Sequence, residues 1–318
     1  MMKIKPNALV KGDSIGLIAP SGGVDDLKEV DRAVAFLESK GFGVKVGESC
    51  RASYGYLAGS DEGRAADVND FFADPQIRGI LCITGGYGTS RILDALDYEM
   101  IARNPKVFVG YSDITGIHLA LNRLCSLVTF HGPMGISEVL LEGESYSTRS
   151  WLAALTSTSP IGALQNPEAA PPPRVLLPGT ARGELIGGNL SLVAATMGTP
   201  YEIDTRGKVV FLEDVDERPY RVDRMLTQLR LAGKFAECSG IVLGDWNNCG
   251  PEKGKPSLSL EEVFRDVLAG VGKPIVTGLR AGHCSPTLTL PFGVEAILHA
   301  ETDKPRLEIV EAALVRRA

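Results

Sequence analysis

Between residues 13 and 130, short apolar runs take turns with segments whose apolar residues recur at helical spacing. The runs fall at 13–19, 42–46, 78–84, 107–110 and 128–130. The helical segments lie at 26–40, from Ser60 through 64–72, from near Gly88 with Ile92, Leu93 and Leu96, and from Ser112 to Leu124. Continuous apolar runs suit strands covered on both faces, and strands joined by helices run parallel. The pattern therefore predicts an α/β fold: a mostly parallel sheet with helices on both faces, whose ligands bind at the carboxyl ends of the strands.

The texture changes at 157–178, which is rich in Thr, Ser, Pro and Ala and contains Pro171-Pro172-Pro173. Such a segment buries little and stiffens into an extended conformer, so it reads as a linker. It separates an α/β domain at 1–156 from a smaller β-rich domain at 179–318. Strands are expected in the latter at 181–186, 208–213, 240–244, 274–278, 294–299 and 306–310, with helices at 190–197, 220–232 and 260–268. The net charge of −6 comes without a lysine or arginine block, which argues against a nucleic-acid or anionic-membrane partner and for a small solute. No apolar stretch is long enough to span a bilayer and residues 1–6 lack a signal-like run, so a cytoplasmic protein is expected. Six cysteines without a C-x-x-C pair signal neither zinc nor a disulfide framework, and no metal or cofactor is expected.

Chemistry concentrates in four segments at predicted strand ends. In Val107-Phe108-Val109-Gly110-Tyr111-Ser112-Asp113 an apolar strand stops at glycine, and Ser112 stands before helical spacing at Ile114, Ile117 and Leu121. That places a serine on a sharp strand-to-helix turn, beside the free N–H groups of a helix's first turn. The arrangement is that of a nucleophile elbow, although Gly-x-Ser-x-Gly is not present; a serine that merely caps the helix is the bland alternative. Thr84-Gly85-Gly86-Tyr87-Gly88 is a second loop. It fails as a dinucleotide fingerprint because Arg91 occupies the third glycine position, and it suits a backbone N–H donor to an oxyanion.

A serine needs a base, and the base needs an orienting acid. Of four histidines, His283 in Gly278-Leu279-Arg280-Ala281-Gly282-His283-Cys284 is the best placed. His118 is expected at the surface or in packing, His131 in shaping the site, and His299 in a structural role. Glu213 ends the run Val209-Val210-Phe211-Leu212 and can orient a histidine from a partly buried strand end. Asp214, Asp216 and Glu217 compete with it, one of them as a cap for the next helix. Arg91 and Arg280 are the arginines nearest the site loops, and Thr84, Gly85 and Tyr87 are expected to touch the substrate.

Taken together, the motifs resemble the LD-carboxypeptidase family of serine peptidases, which includes muramoyl-tetrapeptide carboxypeptidases and microcin C immunity hydrolases. The resemblance spans nearly the whole chain. It rests on Ile18-Ala19-Pro20-Ser21, Gly85-Gly86-Tyr87-Gly88-x-x-Arg91, Gly110-Tyr111-Ser112-Asp113, His131-Gly132-Pro133-Met134, Gly187-Gly188-Asn189-Leu190, Leu212-Glu213-Asp214 with Tyr220-Arg221-Val222-Asp223-Arg224, and Gly282-His283. It implies a Rossmann-like, glutamine-amidotransferase-like first domain and a triad of Ser112, His283 and Glu213. It also implies an oxyanion hole from the backbone N–H groups of Gly86 and Asp113, a site between the domains, no metal, and a homodimer. The implied reaction releases a terminal D-alanine from murein tetrapeptides.

One position departs from the pattern: members that trim murein peptides often carry arginine before the glycine pair, where this chain has Thr84. Threonine cannot make the bidentate grip on a carboxylate that arginine makes. A microcin-type hydrolase of peptidyl or aminoacyl sulfamoyl-adenylates is therefore the sister reading, with Trp151, Trp246 and Tyr146 available to stack a base. A non-catalytic small-ligand binder is the reading from another class.

Overall fold

The computed structural model describes residues 3–137 and 144–317. The first part runs β1 (Ser14–Ile18), α1 (Lys28–Ser39), β2 (Gly43–Val46), α2 (Asp61–Ala73), β3 (Ile77–Cys82), α3 (Tyr98–Arg103), β4 (Val107–Gly110), α4 (Thr115–Leu124), β5 (Thr129–His131) and α5 (Tyr146–Thr156). It continues through β6 (Gly162–Leu164), β7 (Arg174–Leu177), β8 (Gly179–Asn189), α6 (Leu190–Ala195), β9 (Val209–Val215), α7 (Pro219–Leu231), β10 (Gly240–Asn247) and α8 (Leu260–Leu268). The last strands are β11 (Ile275–Thr277), β12 (Leu290–Phe292), β13 (Glu295–Ala300) and β14 (Arg306–Ile309).

Local signals set several of these elements. Ser60 caps α2 by accepting from the Gly63 N–H at 3.2 Å, and Ser259 and Glu262 form a reciprocal capping box at the start of α8. Val30, Ala33 and Leu37 line the buried side of α1. Every residue of β4 is buried, as expected of a strand covered on both faces.

The first sheet has the order β12-β5-β4-β3-β1-β2, parallel except at β12. The chain reverses its direction of travel across this sheet at β1, so the loops after β1, β3 and β4 converge at one end. The second sheet has the order β6-β14-β13-β8-β9-β10-β11-β7. Its four central strands, β8 to β11, are parallel, and its flanks are antiparallel. One apolar cluster runs from Leu17, Val109 and Phe130 through Phe292 and Phe211 to Val242 and Leu298, so the two sheets share a core.

Three features differ from the sequence expectations. The helix expected near Gly88 is two short 3-10 turns, Thr89–Arg91 and Leu93–Ala95, and the regular helix starts only at Tyr98, where Asp97 accepts from the Met100 N–H at 2.9 Å. The proline-rich stretch at 157–178 contributes two strands: β6 pairs with β14, and β7 pairs with β11. Residues 290–292 cross back to the first sheet, with Leu290 opposite His131 and Phe292 opposite Thr129.

Candidate active site

Ser112 takes φ = +62°, a left-handed conformation that a residue with a Cβ adopts only under constraint. The constraint is visible on both sides of it. β4 ends at Gly110, where any Cβ would come within 2.7 Å of Ile114, and the 3-10 turn Ser112–Ile114 leads straight into α4. No side-chain hydrogen bond from Ser112 caps either helical segment, so its hydroxyl is not spent on the cap that was the bland alternative.

The glycine loop lies against this serine. A Cβ at Gly85 would stand 3.0 Å from Ser112 Cβ and 3.2 Å from its Oγ, so only glycine permits the approach. Gly86, at φ = +105°, is exposed, and its N–H has no protein acceptor among the described residues. The Asp113 N–H belongs to the first turn of a helix, where no intrahelical acceptor exists.

The loop is clamped by side chains that the sequence reading passed over. Asp113 is 1% exposed, and its Oδ2 accepts from Ser21 Oγ at 2.6 Å and from the Thr89 N–H at 2.8 Å. Thr89 Oγ1 donates to the Asp113 carbonyl at 2.6 Å, and the Gly22 N–H donates to the Gly85 carbonyl at 2.9 Å. Arg64, fully buried, donates through Nη1 to the Pro20 carbonyl at 2.7 Å and the Gly88 carbonyl at 2.9 Å. The loops after β1, β3 and β4 are thus one hydrogen-bonded unit. Burial pushes the Asp113 carboxyl above its ordinary value, against the pull of the Ser21 and Thr89 hydrogen bonds.

His283 and Glu213 arrive from the second sheet. His283 Nδ1 lies 2.7 Å from Glu213 Oε2, and the His283 backbone N–H donates to the same oxygen at 3.3 Å. Gly282 has to be glycine here: its φ is +110°, and a Cβ would fall 2.5 Å from Glu213 Oε2. The His283 ring packs on Tyr111, the residue before Ser112, with centroids 4.8 Å apart. Burial disfavours the imidazolium, but the hydrogen bond and charge of Glu213, with Asp214 and Asp245 behind it, outweigh burial and raise the His283 pKa.

Alternation along β9 separates the competing acids. Asp214 accepts from Asn189 Nδ2 at 2.9 Å and from both the backbone N–H and the hydroxyl of Ser191, so it secures the start of α6. Asp216 accepts from Asn248, and Glu217 pairs with Arg221 at 3.4 Å. No side chain caps α7, which begins at Pro219, so the expected cap from this acidic run is absent there.

Beside His283 a cleft of about 600 Å³ is lined by Tyr111, Pro133, Asp245, Trp246 and Arg280. Arg280 donates to Asp245 at 2.8 Å and to the Ser285 carbonyl at 2.9 Å. Arg91 instead makes a bidentate pair with Asp61 and does not line this cleft. Tyr87 is half-exposed and packs edge-on against Tyr56 at 5.7 Å, and Thr84 is partly exposed where the strand meets the loop. Of the three candidate stacking aromatics, only Trp246 borders the cleft. Trp151 is buried beside Phe36, and the Tyr146 hydroxyl bonds the Gln165 carbonyl.

The remaining histidines are structural in their surroundings. His131 is buried among Tyr111, Phe211 and Phe292; His299 faces Glu301 and Glu308; His118 is buried and not at the surface. Burial pushes the Cys284 thiol up to about 12, which leaves it protonated and a poor nucleophile. Among the described residues no group of three or more His, Cys, Asp or Glu side chains could hold a metal.

Two family models match the chain: the LD-carboxypeptidase N-terminal domain over residues 15–132 and the LD-carboxypeptidase C-terminal domain over residues 182–298. A probable murein peptide carboxypeptidase of Bacillus subtilis is 44% identical over 298 residues, covering 94% of this chain and 92% of that protein. The crystal structure of muramoyltetrapeptide carboxypeptidase from Oxalobacter formigenes superposes with a TM-score of 0.82 at 30% identity, over 94% of this chain and 99% of that one. The structure of the microcin C7 self-immunity protein MccF in complex with aspartyl sulfamoyl adenosine gives a TM-score of 0.88 at 28% identity, over 98% of this chain and all of that one.

Proposed function

From the premise that the chain belongs to the LD-carboxypeptidase family, we infer that it is a serine-type LD-carboxypeptidase that releases the terminal D-alanine of murein tetrapeptides. The observation that carries the reading is the strained Ser112 turn, next to a histidine already bonded to a buried glutamate.

The chemistry follows from that arrangement. A carboxylate only accepts, so His283 Nδ1 carries the proton toward Glu213 and Nε2 is left with its lone pair. Nε2 takes the Ser112 proton as Oγ attacks the amide carbon, and Glu213 steadies the imidazolium that forms. The N–H groups of Gly86 and Asp113 receive the oxyanion, and the hydrogen-bonded loops hold them in place before the reaction begins. His283 then protonates the leaving D-alanine nitrogen. Water, activated by the same histidine, hydrolyses the acyl-enzyme.

Arg280 supplies positive charge in the cleft for the substrate's free carboxylate, a duty Thr84 cannot perform as a charged partner. We extend the reading to murein peptide recycling in the cytoplasm by a homodimer, as the family resemblance implies. No helix among the described residues is long and apolar enough to cross a membrane.

Trp246 at the cleft favours one second reading, an aminoacyl or peptidyl sulfamoyl-adenylate whose base stacks on the indole. Turnover of murein tetrapeptides ending in D-alanine, in L-alanine and in D-alanine amide, set beside an aspartyl sulfamoyl-adenylate, separates the readings. Selective release of D-alanine from the first peptide is expected. Equal turnover of the three peptides, or turnover of the adenylate alone, overturns the carboxypeptidase assignment.

A further inference from the structure

On the far side of α4 from the Ser112 turn lies a second cavity, of about 330 Å³, between α4 and the second sheet. Its apolar wall is Leu119, Ile186, Ile203 and Phe292. Its cationic side chains are Lys3, Arg123, Arg206 and Lys208, against the acids Glu184 and Asp204. Lys3 and Lys208 share the one carboxylate of Glu184, at 2.6 and 3.5 Å, while Arg206 is matched by Asp204 at 2.8 Å. Arg123 meets only the Glu202 carbonyl, at 2.7 Å. The lining is therefore two charges more positive than negative, on a chain whose net charge is −6.

His118 lines the same cavity and is 1% exposed. Its Nε2 lies 2.8 Å from the Gly110 carbonyl, which can only accept, so Nε2 carries the hydrogen and Nδ1 presents a lone pair. That Nδ1 has no partner in the protein. Burial holds the imidazole pKa down at about 4, so the ring is neutral near pH 7 and Nδ1 stays an acceptor. A buried acceptor without a donor is costly, and the site asks for a group that donates.

We propose that this cavity is a second ligand site, for a small dicarboxylic acid bearing one hydroxyl or ammonium group. The carboxylates sit among Lys208, Lys3 and Arg123, and the donor group bonds His118 Nδ1. A cavity of this size takes a molecule of that class, and the mixture of apolar wall and few polar groups is that of a small-molecule site. Gly110 is two residues before Ser112, so the occupant touches the turn that carries the serine through one hydrogen-bonded ring.

The test is calorimetric titration of the full chain with L-malate and with succinate, which has the same charge and no hydroxyl. Malate should bind once per chain, and succinate about two- to tenfold more weakly, the worth of one neutral hydrogen bond. Lys208→Glu should abolish binding of both acids while leaving peptide turnover intact, and Arg280→Ala, in the catalytic cleft, should leave malate binding unchanged. His118→Phe should erase the preference for malate. Should that variant fail to fold, the Lys208→Glu and Arg280→Ala pair still decides. Absence of malate binding, equal affinity for the two acids, or binding that survives Lys208→Glu and falls with Arg280→Ala would each overturn the proposal.

Discussion

Removing the Asp113 side chain should separate the fold's need for hydrogen-bond acceptors from any need for charge at the serine turn. In Asp113→Ala the Ser21 hydroxyl and the Thr89 N–H lose their acceptor in a fully buried setting. Each donor left unsatisfied costs about 1 to 3 kcal/mol, so the variant should lose about 2 to 6 kcal/mol of stability. Asp113→Asn keeps an oxygen where both donors point. Burial has raised the carboxyl's pKa, so the folded environment favours the uncharged form of this group, and a neutral isostere should cost no more than about 1 kcal/mol at neutral pH. The sign follows directly: with a raised folded pKa, the group's contribution is fully present below its unfolded value near 3.8 and is lost as pH rises through the folded one. Activity should follow the same order. Asp113→Ala frees the glycine loop, and kcat should fall toward the roughly 100- to 1,000-fold loss known for a missing oxyanion donor, with a smaller change in KM. Urea unfolding monitored by fluorescence, together with steady-state kinetics, measures both. Equal losses in Asn and Ala would show that charge and not acceptance is required, and no loss in either would refute the clamp.

Glu213→Gln should lower turnover while leaving substrate affinity nearly unchanged, because glutamine can favour the wrong histidine tautomer; if Glu217→Gln gives that loss instead, the acid is misassigned. Because Glu213 raises the His283 pKa against burial, kcat/KM should climb with pH through a midpoint above 6.5, and a rate flat from about pH 5 to 8 with chemistry limiting would exclude this histidine as base. The stability supplied by the raised His283 should be present below about pH 6.5 and lost as pH rises through the folded value, a trend that His283→Gln should flatten in denaturation curves. Arg280→Ala should raise KM for a peptide with a free carboxylate and leave the peptide amide unaffected, whereas Arg91→Ala, engaged with Asp61, should change neither; the reverse pattern would move the carboxylate site to the glycine loop.

The elbow was legible because its cause is local: a β-branched run, a glycine that avoids Ile114, and helical spacing directly after Ser112. The glycine loop was legible for the same reason, since Gly85 and Gly86 answer to neighbours close in the fold. What escaped depends on partners far along the chain. Asp113 finds Ser21 across 92 residues, and strand alternation could separate Glu213 from Asp214 but not say which face His283 would approach. The Ile92, Leu93 and Leu96 spacing suggested one helix, yet the Gly88 carbonyl is held by Arg64 and the Thr89 N–H by Asp113, so the chain there turns in short 3-10 segments. A three-residue strand containing Pro291 carries too little pattern to be read, and its pairing with β5 is decided by the shared core.

The most direct measurement is D-alanine released from a murein tetrapeptide by the wild-type chain and by Ser112→Ala, with folding of both verified by circular dichroism. The wild type should release D-alanine. The variant should keep its fold and lose on the order of 10,000-fold or more in turnover, as when a nucleophile is removed from a triad. A folded Ser112→Ala protein that releases D-alanine at the wild-type rate would contradict the account.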